Sequence, residues 1–217
     1  MNYDLVIFDL DGTLLDTAPD IGRCLNRALT EHDLSTFSRE RLLSVIGPAG
    51  RAFYSAIVGS DDDDKIELAK QVVKEYRAYY WEGLVEETRP FPGVTEMLDR
   101  LKELGVTMAV ASNKPEAQVR KIVSGLGLDH YFAQIVGPES VENAKPDPEV
   151  IHLMMKRCDS TPERTMMVGD THNDVSSGHS AGVTTVFVKW GYQSDVDRDL
   201  IDAEISDAAE ITAMVEG

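Results

Sequence analysis

Five short apolar runs, separated by segments with helical periodicity, constrain the fold of this 217-residue chain more than any other feature. Runs of this kind are typical of parallel strands that are buried on both faces. The runs lie at residues 5–8, 106–111, 133–136, 165–168 and 184–188. Strands that alternate with helices in this way predict an α/β fold with a doubly wound, Rossmann-like parallel sheet and right-handed crossovers.

One long segment without a strand pattern interrupts this alternation. About 70 residues separate the first strand from the sequence RPFPGV, and we find only helical patterns within them. The apolar positions predict helices near residues 21–29, 42–46 and 65–81. We therefore predict a helical cap domain at residues 16–87, inserted through two linkers into a core domain of residues 1–15 and 88–217.

The composition argues against several classes of partner. A formal net charge of -17, from 21 Lys+Arg against 38 Asp+Glu, would repel a nucleic-acid backbone. No segment approaches the roughly 20 apolar residues that a membrane helix requires. Cys24 and Cys158 have neither CxxC nor zinc-ligand spacing, which favours a reducing compartment. We expect a cytoplasmic monomer or homodimer that binds neither nucleic acid nor a membrane.

Polar side chains follow three of the predicted strands at the point where each strand ends. A single aspartate at such a position usually forms a turn or caps a helix. Ligands of open parallel sheets, however, bind at the carboxyl ends of the strands, so the coincidence at three ends predicts one shared site. The residues are Asp9 and Asp11 after the first strand, Ser112, Asn113 and Lys114 after the second, and Asp170 and Asp174 after the fourth.

The acidic residues of this site require a cation. Three carboxylates at one point repel one another unless a cation neutralises them. Their oxygens suit Mg²⁺, which binds proteins through one or two carboxylates and keeps places for waters and a substrate phosphate. The hydroxyl of Ser112, a lysine and backbone N–H groups at turns are donors that bind phosphate. The set predicts Mg²⁺-dependent phosphoryl transfer.

Four ordered motifs carry a resemblance to a known family. The segments DLDGTLLDT, ASNK, KPDP and GDTHND resemble the motifs of the haloacid dehalogenase superfamily. More narrowly, the chain is similar to the phosphoglycolate phosphatase-like branch with an α-helical cap, and the resemblance extends over nearly the whole sequence. It implies hydrolysis of a small phosphorylated metabolite, for which 2-phosphoglycolate is our first choice.

The resemblance also implies roles for individual residues in the reaction. Asp9 would attack phosphorus and form an aspartyl-phosphate. Asp11 would protonate the leaving oxygen and then activate the water that cleaves the intermediate. Ser112 and the backbone of Asn113 would hold the phosphate, and Lys145 would offset negative charge on Asp9 and on the transferring group.

The metal ligands are implied in the same way. The family pattern assigns Mg²⁺ to a carboxylate oxygen of Asp9, the backbone carbonyl of Asp11, and Asp170. Asp174 would lie in the outer shell of the metal or orient its ligands. His172 lies inside the same motif, but its position varies in the family and it receives no role.

Substrate selectivity has a single clue, in the cap sequence VIGPAGRAF. Gly47, Pro48 and Gly50 suit a tight loop between two helices. In the family the corresponding loop touches the part of the substrate that does not react, so Arg51 is a candidate for binding a second anionic group such as a carboxylate. The alternative is a solvated arginine at the start of the next helix.

Several other functions use similar residues. A sugar-phosphate phosphatase or a β-phosphoglucomutase-like mutase would employ the same aspartates, the mutase returning the phosphate to its substrate. The family's dehalogenases lack the aspartate at the position of Asp11. Its phosphonate hydrolases use a cap lysine, whereas the helix after Asp16 offers Arg23 and Arg27. A phospho-acceptor signalling domain also gathers aspartates at strand ends, but it has no inserted cap.

Overall fold

The computed structural model describes residues 2–46, 51–193 and 196–217. The chain divides into two compact units. The core unit comprises Met1–Asp16 and Arg89–Gly217, and the inserted unit is Thr17–Thr88. That the inserted unit acts as a cap domain stays a prediction.

The helices and strands alternate through most of the core unit. In chain order they are β1 (Leu5–Phe8), β2 (Leu15–Asp16), α1 (Ala18–Glu31), α2 (Arg39–Val45), α3 (Arg51–Val58), α4 (Asp63–Glu82), β3 (Arg89–Pro90), α5 (Val94–Glu103), β4 (Thr107–Ala111), α6 (Glu116–Gly125), β5 (Phe132–Val136), α7 (Glu149–Cys158), β6 (Thr165–Gly169), α8 (His172–Ala181), β7 (Thr184–Val188), β8 (Ala203–Ile205) and α9 (Ala209–Glu216). Among the described residues, no helix has both the length and the apolar character needed to cross a membrane.

A six-stranded parallel sheet forms the centre of the core unit, in the order β5-β4-β1-β6-β7-β8. This confirms the predicted fold class, and the five predicted strands are all present. The sixth strand, β8, was missed because it is three residues long and carries the exposed Glu204 at its centre, so that it has no apolar run.

The central position of β1 determines which strand ends come together. All four of its residues are fully buried, and it pairs with β4 on one side and β6 on the other. Phe8 is in register with both Val110 and Val168. The segments that follow these three parallel strands therefore begin at the same edge of the sheet.

A second, two-stranded sheet marks the points where the chain leaves and re-enters the core unit. Strand β2 pairs antiparallel with β3, with Leu15 opposite Pro90 and Asp16 opposite Arg89. The sequence indicated linkers at these places and no strands. Two-residue strands are too short to show an alternating pattern, so the pairing could be recognised only in three dimensions.

The inserted unit contains four helices in its described part, where the sequence predicted three. The additional helix is α3, and Ile57 is its one buried residue. This helix is only eight residues long, which is too short for its apolar residues to show a helical repeat. The contacts of α1 with α4 and of α3 with α4 hold the unit together.

A buried carboxylate connects the first and last segments of the inserted unit by hydrogen bonds. Asp20 Oδ2 accepts hydrogen bonds from the backbone N–H of Glu87 (3.0 Å) and from the backbone N–H and hydroxyl of Thr88 (both 2.8 Å). Its Oδ1 accepts one from Arg23 Nη2 at 2.8 Å. Burial alone would raise the pKa of Asp20, but these donors lower it below its usual value.

Candidate active site

The edge formed by the ends of β1, β4 and β6 gathers most of the predicted site residues. Asp9 continues the ladder from β1, because its N–H donates to Val168 O at 2.9 Å. Ser112 follows β4 and its N–H donates to Val136 O at 3.1 Å. Asp170 directly follows β6. For Asp9 and Ser112, the backbone hydrogen bonds of the sheet thus extend one residue beyond the strand and fix where these two side chains begin.

Three aspartates form a buried acidic cluster at this edge. Each of Asp9, Asp170 and Asp174 offers a carboxylate oxygen, and these oxygens all lie within 4.8 Å of one another. Burial, together with repulsion from Asp174 and Asp11, raises the pKa of Asp9 to about 7 against the opposing effect of Lys145. Burial and repulsion from Asp174 and Asp9 likewise raise the pKa of Asp170. The cluster carries more negative charge than its surroundings stabilise.

Lys145 supplies part of the missing positive charge. Its Nζ donates to Asp9 Oδ1 at 2.8 Å, to Asp174 Oδ1 at 2.6 Å and to the carbonyl oxygen of Ala111 at 2.6 Å. Burial alone would lower the pKa of this ammonium group, but Asp174 and Asp9 raise it above its usual value. Lys145 is therefore a fixed cation bound between two of the three aspartates.

The carboxylate of Asp170 is oriented by donors to both of its oxygens. Thr13 Oγ1 donates to Oδ1 at 2.9 Å, and the backbone N–H of Tyr192 donates to Oδ2 at 2.7 Å. Glycines allow the chain to approach this closely. A Cβ at Gly12 or at Gly191 would overlap the Asp170 side chain, and Gly12 also has a φ of +89°.

Sequence reasoning did not find the contact from Tyr192. A backbone N–H is common to every residue except proline, so no residue type could signal this donor. The tyrosine hydroxyl makes a second contact in the core unit, donating to Asp16 Oδ1 at 2.9 Å.

Asp174 is held by the start of α8. Its Oδ2 accepts from the backbone N–H and the hydroxyl of Thr171, at 3.0 and 2.6 Å. The Thr171 hydroxyl in turn accepts from Asp174 N–H, which completes a capping box. Because its Oδ1 binds Lys145, Asp174 connects the helix start to the rest of the acidic cluster.

The side chain of Asp11 has a different neighbour. Lys114 Nζ donates to Asp11 Oδ1 at 2.7 Å and Oδ2 at 2.9 Å. In the described part of the chain, Asp11 does not join the acidic cluster. The predicted role of Asp11 as a metal ligand concerns its backbone carbonyl, and that role stays a prediction.

Ser112 and Asn113 lie in the turn after β4. Ser112 is buried and its Oγ accepts the N–H of Lys114 at 3.2 Å. Asn113 Nδ2 donates to the backbone carbonyl of Lys145 at 2.8 Å. This hydrogen bond connects the two loops that carry the two lysines.

Arg51 belongs to the inserted unit. It opens α3, and its Nη2 donates to the carbonyl of Asp61 at 2.7 Å and to Asp63 Oδ1 at 2.9 Å. Its side chain is 56% exposed. The preceding loop, residues 47–50, lies outside the described residues. A role for Arg51 in substrate binding stays a prediction.

The acidic cluster fits a divalent cation. Three buried carboxylates each place an oxygen within 4.8 Å of the others. Lys145 contacts Asp9 and Asp174. The hydrogen bonds to Asp170 come from neutral donors, the Thr13 hydroxyl and the Tyr192 backbone N–H. The raised pKa values of Asp9 and Asp170 are expected where negative charge is in excess, and a bound cation would neutralise that excess. Carboxylate oxygens without sulfur or imidazole neighbours in the cluster suit Mg²⁺.

Comparison with known proteins identifies the family. A family model described as haloacid dehalogenase-like hydrolase matches residues 6–188. A phosphoglycolate phosphatase of Haemophilus influenzae is 32% identical over 199 residues, which cover 89% of this chain and 89% of that protein. An N-acetylmuramic acid 6-phosphate phosphatase of Pseudomonas aeruginosa is 33% identical over 193 residues, covering 88% and 84% of the two chains.

The fold comparison agrees with the sequence comparison. A crystal structure described as a predicted phosphoglycolate phosphatase from Haemophilus somnus matches with a TM-score of 0.89, 29% identity and 99% coverage of both chains. These matches confirm the resemblance found in the four motifs. The chain therefore belongs to the haloacid dehalogenase-like hydrolase family and resembles its phosphoglycolate phosphatases.

Proposed function

We propose that this protein is a Mg²⁺-dependent phosphomonoesterase that acts on a small phosphorylated metabolite through an aspartyl-phosphate. The observation that carries the proposal is the position of Asp9. Asp9 lies at the end of the central strand, within a cluster of three carboxylates. Its side chain accepts a hydrogen bond from Lys145, which also donates one to Asp174. A nucleophile needs this combination of a fixed direction and nearby positive charge.

The proposed reaction has two steps. A carboxylate oxygen of Asp9 attacks phosphorus, the bond to the leaving oxygen breaks, and Asp11 supplies a proton to that oxygen. Asp11 then takes a proton from water as the water attacks the aspartyl-phosphate, which releases phosphate and restores Asp9. Lys145 stabilises the charge on the transferring group, and Ser112 and Asn113 bind its oxygens.

Asp9, Asp170 and the backbone carbonyl of Asp11 would hold Mg²⁺, with Asp174 orienting the set. When bound there, the metal would supply Lewis-acid stabilisation of the phosphoryl oxygens. Thr13 and Tyr192 support this assignment because they fix both oxygens of Asp170. Such supporting contacts commonly change metal affinity by about 10- to 100-fold when they are removed.

The proposed substrate is 2-phosphoglycolate. The name of the Haemophilus influenzae relative supports this choice, and Arg51 would bind the glycolate carboxylate. The Pseudomonas aeruginosa relative supports a second candidate, a sugar 6-phosphate, at nearly the same identity. We assign the inserted unit, Thr17–Thr88, as the cap domain that chooses between them, and we expect a cytoplasmic protein.

A panel of phosphate esters tests the proposal. Purified protein should release phosphate from 2-phosphoglycolate faster than from sugar phosphates, N-acetylmuramic acid 6-phosphate or 4-nitrophenyl phosphate, and it should do so only with Mg²⁺. Preference for a sugar phosphate would change the substrate and leave the reaction class intact. Absence of phosphate release from every ester, with Mg²⁺ present, would contradict the proposed function.

A further inference from the structure

The core unit contains a buried lysine that the proposed mechanism does not use. Lys114 Nζ contacts both carboxylate oxygens of Asp11, at 2.7 and 2.9 Å, and the two side chains are 6% and 17% exposed. We propose that Lys114 is a positioning residue for the reaction. By holding both oxygens of Asp11, it directs this acid–base group towards the leaving oxygen. The inference rests on the proposed phosphatase function.

The turn that carries Lys114 is itself fixed to the sheet. Ser112 N–H donates to Val136 O in the neighbouring strand, and Ser112 Oγ accepts the N–H of Lys114. Pro115, whose ring restricts its own φ and the conformation of the residue before it, follows at once and precedes α6. The lysine stem therefore leaves a constrained backbone, so that its ammonium group can determine the direction of another side chain.

The two buried lysines have separate partners. Lys145 contacts Asp9 and Asp174, the nucleophile and its neighbour in the cluster. Lys114 contacts Asp11, which would act on the opposite side of phosphorus, at the leaving oxygen. Lys145 is thus suited to the transferring phosphoryl group, and Lys114 is suited to the step in which the leaving group departs.

The contact with Lys114 does not prevent Asp11 from meeting a substrate. Each carboxylate oxygen has two acceptor sites, so an oxygen that accepts from Lys114 keeps one site for the proton that Asp11 gives to the leaving oxygen. The contact removes rotational freedom from the Asp11 side chain. A displacement of about 1 Å in a reacting group commonly costs about 100-fold in rate, which is the scale of effect that we expect here.

The leaving group distinguishes positioning of Asp11 from general damage. The alkoxide of 2-phosphoglycolate needs a proton as it departs, whereas 4-nitrophenolate is a stable anion that leaves without one. The rate to measure is that of leaving-group release in the first turnover, because the later hydrolysis of the aspartyl-phosphate is common to both substrates. In Lys114→Met, which keeps the apolar stem, the first-turnover rate of glycolate release at saturating 2-phosphoglycolate should fall about 100-fold. The first-turnover rate of 4-nitrophenolate release from 4-nitrophenyl phosphate should fall by less than about threefold, and the half-saturating concentration of each substrate should hardly change.

Matched variants complete the test. Lys156→Ala removes an exposed lysine from α7 and should leave both rates unchanged. Lys114→Arg can hold both oxygens of Asp11 and should recover most of the rate with 2-phosphoglycolate. If Lys114→Met does not fold, as judged by circular dichroism, Lys114→Gln takes its place with the same expectation.

Two results would overturn the inference alone. Equal losses on both substrates would mean general damage to the site, and a change confined to half-saturation by 2-phosphoglycolate would mean that Lys114 binds substrate directly. A wild-type protein that is inactive on every phosphate ester would overturn the proposed function, and this inference with it.

Discussion

The strand-end edge of the core unit and the start of α3 in the inserted unit hold their charged groups in opposite ways. At the edge, Lys145 is 2% exposed and bonded to two carboxylates and a carbonyl. In the inserted unit, Arg51 is 56% exposed and its partner Asp63 is 89% exposed. A buried pair has a defined geometry, whereas an exposed pair is weak and exchanges partners readily.

This difference suggests that the strand-end edge performs the chemical step and that the region of Arg51 selects the substrate. The chemical step requires charges that are already in place, because their reorganisation would cost energy during the reaction. Recognition of the part of the substrate that does not react requires less fixed geometry. A cation such as Arg51 can exchange a protein carboxylate for one on the substrate. We therefore expect changes at the edge to impair catalysis or metal binding, and changes near Arg51 to alter only which substrate is preferred.

The largest effect should come from Asp9→Asn. The substitution is nearly isosteric but removes the nucleophile, so kcat should fall by at least about 1,000-fold while the fold is kept. Steady-state phosphate release together with circular dichroism measures both quantities. A folded variant that retains a tenth of the wild-type activity would remove Asp9 from the role of nucleophile.

The next effect should come from Asp170→Asn. Loss of a carboxylate from the acidic cluster should raise the Mg²⁺ concentration for half-maximal activity by at least about 10-fold. Ca²⁺ should support little activity in the wild type, because its larger and more flexible coordination does not suit the same site. Asp129→Asn, an exposed change in the core unit, serves as the control. Full wild-type activity with a chelator present would argue against a metal requirement.

A smaller and more selective effect is expected for Arg51→Ala. Loss of a charged hydrogen bond to the carboxylate of 2-phosphoglycolate should raise its KM about 10- to 150-fold, corresponding to about 1.5–3 kcal/mol. The KM for 4-nitrophenyl phosphate, which lacks that carboxylate, should stay nearly constant. Equal changes for both substrates would show that Arg51 does not recognise the second anionic group.

The smallest effect should come from Asp20→Asn, and on stability alone. Asp20 accepts from three donors of Glu87 and Thr88 and from Arg23, so loss of its charge should lower the free energy of unfolding by about 1–2 kcal/mol at neutral pH. Folding lowers the pKa of Asp20 below 3.8, the usual value of an aspartate. Its stabilising contribution is therefore complete above pH 3.8 and is lost as the pH falls through the lower pKa of the folded protein.

Denaturant titrations at several pH values measure this effect. The difference between wild type and Asp20→Asn should be constant near neutral pH and should shrink below pH 3.8. Asp33→Asn, an exposed change in the same unit, controls for the loss of one negative charge. A difference that persists unchanged in acid would mean that the ionised carboxylate of Asp20 is not the source of the stability.

The sequence was informative where a short local pattern determines structure. Apolar runs predicted the five longer strands, and the residues after them predicted which side chains meet, because parallel strands end at one edge. Strand β8 was missed because it is only three residues long. The sequence indicated that a helix could begin at Arg51, but the eight residues of α3 are too few to show a helical repeat.

Contacts between distant parts of the chain could not be read in this way. The bond from Lys114 to Asp11 spans 103 positions and that from Tyr192 to Asp170 spans 22. Lys114 is part of the motif ASNK, but its contact with Asp11 depends on the conformation of the turn after β4. Likewise, no local pattern indicates that Asp20 binds the far end of the inserted unit.

Chemical trapping of Asp9 tests the central claim most directly. Wild-type protein mixed with Mg²⁺ and 2-phosphoglycolate, quenched within one turnover and reduced with borohydride, should contain homoserine at position 9, since reduction converts an aspartyl-phosphate into that residue. Peptide mass spectrometry reads the change, and samples without substrate or with Asp9→Asn should not show it. Rapid turnover with aspartate intact at position 9, or with the modification at another aspartate, would contradict the account.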